Sequence, residues 1–190
     1  MSKPTLLDSL KGGDRRSIGR ADRVVVMVRR DPSHFPVLIS GLSHEDELVR
    51  MRAADAVEKL TVTNPQWLWP FKRRLMSLAA RVEQQELRWH LAQLLPRLEL
   101  SRKDRTMAAA ILCRYLEDRS RIVKTFAMQG LFDLDIHDNR LLAPVRRVMV
   151  SLTKTGSPAM KSRGRKLLRQ IDGPSLPRYA TDSQQQRPIN

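Results

Sequence analysis

Cys113 is the only cysteine among 190 residues, so neither an internal disulfide nor a thiolate-built zinc site is available to this chain. It falls on the apolar stripe of AAAILCRYL, which predicts a small buried hydrophobe and not a reactive thiol. Aromatic residues make up 5% and glycines number eight, a poor supply for a sheet with tight turns and an adequate one for packed helices. No period-two alternation is long enough to argue for a strand. The longest apolar run near the start, Val24 to Val28, is closed by Arg23 and Arg29. It is far too short for a membrane span and badly placed for a signal peptide, which predicts a cytoplasmic protein.

Catalytic constellations are equally scarce. His34, His44, His90 and His137 are scattered, and none has a second histidine at the i+4 spacing of a helical metal site. There is no glycine-rich phosphate loop, no GxSxG elbow and no nucleophile partner for Cys113, while the serines stand in capping or loop contexts. These absences predict a non-enzymatic chain with no catalytic residue, no metal and no cofactor.

What the chain does have is a phrase repeated four times. VRMRAADAVEKL begins at Val49, LRWHLAQLLPRL at Leu87, VKTFAMQGLFDL at Val123 and MKSRGRKLLRQI at Met160, at intervals of 38, 36 and 37 residues. That period belongs to a helical solenoid. The second position is basic in every copy (Arg50, Arg88, Lys124, Lys161) and the fifth is small or apolar (Ala53, Leu91, Ala127, Gly164). Positions eight, nine and twelve are mostly aliphatic.

Each phrase is preceded by another amphipathic stretch, so helix pairs are predicted over 33 to 43 with 46 to 62, 66 to 81 with 85 to 99, 103 to 117 with 120 to 135, and 140 to 154 with 158 to 171. Asp31-Pro32 and Asn64-Pro65 break the chain between helices, Ser101 is a candidate N-cap, and Thr155 to Pro158 forms the last connection. A further helix near 18 to 30 would cap the first pair. Residues 1 to 16, with Gly12-Gly13 and four basic residues, and 172 to 190, with three prolines and a glutamine run, are too poor in apolar surface to order themselves. Both are expected to be mobile tails around one domain, 17 to 171.

The second helix of each pair resembles the HEAT repeat family, in which a valine-arginine pair precedes a small residue and leucines at helical spacing. Val49-Arg50 with Ala53, Ala56, Val57 and Leu60 carry the resemblance best, followed by Val123-Lys124 with Ala127, Leu131 and Leu134, and by Leu87-Arg88 with Leu95 and Leu98. The fourth copy is degenerate. Pro36, Pro70 and Pro144 take the place of the proline frequent in the family's first helices; Met107 stands where the third pair would need one. The resemblance spans roughly 32 to 171. It implies an all-α, right-handed α-α superhelix of about four helix pairs.

Projected at 100° per residue, Val49, Ala53, Ala56, Val57 and Leu60 share one arc, the side expected to pack. Met51, Asp55 and Glu58 lie opposite, with Trp89, Gln93 and Pro96, then Thr125, Gln129 and Phe132, then Ser162, Lys166 and Arg169 as the matching columns. The resemblance implies that these columns line a concave groove, with Met51, Asp55, Glu58, Trp89, Gln93, Thr125 and Gln129 as partner-binding residues and Trp89 as a rigid anchor. The basic ladder Arg50, Arg88, Lys124, Lys161 is expected to be structural, bridging to acidic groups such as Asp46, Glu86 and Asp118.

The formal charge is +15, and it is unevenly placed. Residues 31 to 68 hold three basic and six acidic residues, whereas 140 to 171 hold nine basic and no acidic one. These nine are Arg140, Arg146, Arg147, Lys154, Lys161, Arg163, Arg165, Lys166 and Arg169, a surface for an acidic protein or another polyanion. The leading expectation is a scaffold that binds a protein partner through the concave face and this basic last repeat. The alternative is a nucleic-acid-binding HEAT-like protein. At the far end of that alternative stand the alkylbase DNA glycosylases, which use tryptophans and an aspartate; Trp67, Trp69, Trp89 and Asp55 do not match their spacing. An analogy with HEAT-like bilin lyases rests on fold alone.

Overall fold

The computed structural model describes residues 5–12, 21–135 and 139–172, which form α-helices with a 3-10 turn at Asp8–Leu10 and 3-10 segments at three of the connections. Among the described residues nine α-helices follow one another and no strand occurs. They are α1 (Ala21–Arg30), α2 (Phe35–Gly41), α3 (Glu47–Thr61), α4 (Lys72–Arg81), α5 (Gln85–Leu94), α6 (Arg102–Tyr115), α7 (Arg121–Asp135), α8 (Asn139–Thr155) and α9 (Pro158–Asp172).

Local chemistry sets the boundaries. Asp46 accepts the Leu48 amide at 2.8 Å and starts α3. Ser101 and Asp104 form a reciprocal capping box at the start of α6, with the Ser101 hydroxyl accepting from the Asp104 amide and the Asp104 carboxylate from the Ser101 amide. The expected helix over 66 to 81 is α-helical only from Lys72, because Pro65 and Pro70 hold the preceding stretch as a 3-10 segment, Pro65–Phe71. For the same reason the helix expected to reach 99 ends its α-helical part at Leu94 and continues as a 3-10 turn, Leu95–Arg97, around Pro96.

The second helices pack in chain order: α3 on α5, α5 on α7, α7 on α9. Each also packs against the helix before it, α2 on α3, α4 on α5, α6 on α7 and α8 on α9, while α1 lies on α3. The arc read from the first phrase is the buried one, since Val49, Ala53, Ala56, Val57 and Leu60 are fully enclosed. Leu87, Leu91 and Leu94 of α5, Val123, Ala127 and Leu131 of α7, and Met160, Gly164 and Leu167 of α9 continue the seam. Burying each large aliphatic side chain contributes about 1.5–3 kcal/mol, so the repeated phrase is foremost a packing device. At Gly130 α7 lies close against α5, for a Cβ there would lie 2.5 Å from the Ala92 carbonyl oxygen of α5.

Two features depart from the sequence reading. Cys113 is exposed, not buried. The inward stripe of α6 is Ala108, Ile111, Leu112 and Tyr115, and one further step of roughly 100° beyond Leu112 turns Cys113 out of it. Within the amino-terminal segment expected to be mobile, residues 5–12 are docked: Leu6 and Leu10 are buried, and the enclosed Arg52 guanidinium donates to the carbonyls of Leu10 (2.7 Å) and Gly12 (2.5 Å). The remainder of that segment, 13 to 16, and the carboxyl-terminal tail from 173 lie outside the described residues, as do residues 1 to 4.

Candidate functional site

The columns opposite the buried arc are the first place to look for a binding surface. Met51, Asp55, Glu58, Trp89, Gln93, Thr125 and Gln129 are each half-buried, so all reach the surface without standing free of it. Trp89 packs its indole against the core and lies at 5.6 Å, ring centre to ring centre, from His90.

Most of the polar groups in these columns are engaged within the chain. Asp55 pairs with Lys59 one turn on at 2.8 Å, and the same ammonium reaches Asp22 of α1. Glu58 pairs with Arg97, whose guanidinium also donates to the Glu58 carbonyl and the Thr61 hydroxyl. Gln129 donates to Asp133 and accepts from Arg163 of α9 at 2.6 Å. Gln93 donates to the Trp89 carbonyl. Lys59 was legible as an i+4 partner of Asp55. Arg97 was not, since it lies 39 residues from Glu58 and only the stacking of α5 on α3 unites them.

The basic ladder divides in two. Arg50 donates to the Gln84 side chain at 2.7 Å and to the carbonyls of His44 and Glu45, so its bridge to the next pair ends on an amide and not on the expected carboxylate. Arg88 does reach a carboxylate, Asp118, at 2.6 Å, while its Nε donates to the Val82 carbonyl and its guanidinium lies over the Tyr115 ring. Lys124 and Lys161 hold no ion pair among the described residues.

His90 is an enclosed titratable group beside these columns. Burial pushes its imidazole down to about 4, Asp55 and Glu58 pull the other way, and Lys59 adds to the depression. Its Nδ1 has no hydrogen-bond partner. Between about pH 4 and the ordinary value of 6.5 the unfolded chain binds a proton that the folded one refuses. The contribution of His90 to stability is therefore complete above pH 6.5 and falls away, by about 2–3 kcal/mol, as the pH drops towards 4. Chemical denaturation at pH 7 and pH 4.5 should show His90→Leu losing markedly less stability on acidification than the parent; equal losses would place the acid-sensitive group elsewhere.

The carboxyl-terminal basic surface has a different character. In α9 the stripe Met160, Gly164, Leu167 faces inward, with Gly164 set between Thr153 of α8 and Met128 of α7. Helical spacing then turns Arg165, Lys166 and Arg169 to the opposite side, and all three are exposed. Lys161 is half-buried at the margin, and Arg163 is held by Gln129. On α8, Arg147 is exposed, whereas Arg146 is spent on Asp172 at 2.8 Å, a carboxylate one residue past the acid-free stretch. Arg147, Lys154, Arg165, Lys166 and Arg169 have no carboxylate partner among the described residues. The side chain of Arg140 is outside the described set.

Among the described residues no group of three or more histidine, cysteine or acidic side chains could hold a metal ion, and no helix is long and apolar enough to cross a membrane. No protein-family model matches this chain, and comparison with curated proteins and with solved structures returns no match either.

Proposed function

We propose that this chain is a non-enzymatic interaction module, a HEAT-like right-handed stack of helix pairs capped by α1, whose partner is an acidic protein segment. The observation that carries the reading is the outward face of α9. Arg165, Lys166 and Arg169, with Arg147 and Lys154 of α8, are cations that have no carboxylate partner among the described residues, while Asp55, Glu58 and Gln129 already hold partners within the chain. Unpaired charge is the part of a surface able to give a partner new ion pairs, and it raises the rate of encounter with an opposite charge. The half-buried Trp89 supplies an apolar anchor along the same row of second helices. The order of packing, α3 to α5 to α7 to α9 with each first helix on its successor, supports the repeat architecture.

The test is a paired binding measurement on the folded chain. A protein partner retained at moderate salt should be lost on reversal of Lys161, Arg165 and Lys166 to Glu, with the unfolding midpoint unchanged, and on Trp89→Ala at a temperature where that variant is still folded. The opposite result is saturable binding of random duplex DNA whose affinity falls steeply with salt and which the same reversal abolishes. That outcome would replace the protein partner with nucleic acid.

A further inference from the structure

On the side of the molecule formed by the first helices, α4 and α6 are held together at two places and stand apart between them. At one end Lys72 Nζ meets Asp104 Oδ2 at 2.8 Å; at the other, the Arg114 guanidinium donates to the Ala80 carbonyl at 3.0 Å. Between these bridges lies a slot of about 610 Å³. Eight residues separate Lys72 from Ala80, which makes the slot about 12 Å long at 1.5 Å per helical residue. Small side chains create it, for Ser77, Ala80 and Ala110 cannot fill the space between two helix axes.

The interior of the slot is apolar and its edge is cationic. Met76 and Ile111 form the enclosed floor, and Met107 stands at the lip with 48% of its surface exposed. Methionine here is an adaptable wall that can fit more than one aliphatic shape. Around the edge are Lys72, Arg73 and Arg114, with Asp104 as the one carboxylate. Asp104 is already satisfied: the Lys72 ammonium and the Ser101 hydroxyl and amide hold its carboxyl down at about 2. Arg73 is exposed and has no carboxylate partner among the described residues.

We infer that this slot is a second docking site, and that its occupant is an amphipathic helix of a partner protein with aliphatic anchors flanked by carboxylates. Anchors at i, i+4 and i+7 span about 10 Å along a helix, which matches the slot, and an apolar floor with small walls is the form that receives such a helix. The rim decides the sign: a cationic flank would meet Lys72, Arg73 and Arg114, whereas glutamates would pair with Arg73 and Arg114. This site differs in kind from the face of α9, which offers charge without an apolar floor.

The probe is a synthetic helical peptide of about 16 residues carrying leucines at that spacing and glutamates on both flanks, titrated by fluorescence anisotropy into the full chain at about 0.15 M salt. Saturable binding is expected, weakened at least about tenfold by Ala110→Gln and by Ala80→Gln, each of which fills the slot from an exposed helical position, and by Arg73→Glu. Reversal of Lys161, Arg165 and Lys166 to Glu should leave it intact. The inference is overturned if no saturable binding occurs, if both slot-filling variants bind as the parent does, if the peptide is lost instead on the α9 reversal, or if a version with lysines for glutamates binds equally well.

Discussion

Replacing Arg88 with Ala should lower the unfolding free energy by about 3 kcal/mol, the cost of removing one partner from an enclosed ion pair. Asp118, with 6% of its side chain exposed, would be left charged with only the Ser120 amide still donating to it. The Val82 carbonyl would lose its donor and Tyr115 the cation over its ring. Because Arg88 belongs to α5 and Asp118 to the link between α6 and α7, the loss is of a bond between successive pairs, not within one. Adding Asp118→Asn should recover part of the deficit, since the uncompensated carboxylate goes with it. Urea denaturation of the two variants measures both effects. A loss under about 1 kcal/mol for Arg88→Ala would make this bridge an ordinary surface pair.

Gly130→Ala should be the other strongly destabilising change, by about 2 kcal/mol net. Alanine is the better helix former by about 1 kcal/mol, so propensity alone predicts a gain. Against that, the new methyl would sit 2.5 Å from the Ala92 carbonyl oxygen and 3.1 Å from the Leu112 side chain. A backbone carbonyl inside a packed helix cannot rotate away, so α7 would have to lift from α5 along their shared seam, and overpacking of this kind costs about 1–3 kcal/mol or more. Gly164→Ala is the internal comparison. Its new methyl would meet chiefly the Thr153 side chain, which can change rotamer, so its penalty should be the smaller. Thermal and urea unfolding of the two variants would show the order; stabilisation by Gly130→Ala would mean that α5 and α7 do not approach this closely.

How much of this was legible in the residues depended on how local the cause was. The N-cap at Ser101, the breaks at Asp31-Pro32 and Asn64-Pro65, and the buried arc of α3 follow from chemistry within a few positions of each residue, and all are present. Cys113 was misplaced because a short apolar run does not reveal which side of α6 meets α7. The docking of residues 5–12 was missed because its cause is Arg52, about 40 residues away, enclosed where a basic residue would ordinarily face water. The expected groove residues are each half-buried, and nothing in their own sequence told that Asp55, Glu58 and Gln129 are engaged.

The amino-acid sequence by itself determined the helical class, the succession of helix pairs and the stripe that packs, because these rest on periodicity and on end signals a few residues apart. Only the tertiary structure decided which charges are spent and which remain to meet a partner. The partners of Glu58, Arg88 and Gln129 come from helices or links 30 to 39 residues distant, and a pair at that separation exists only once the helices have packed on one another. The slot between α4 and α6 has the same origin: small residues on two helices are unremarkable singly and become a cavity when packing sets them face to face.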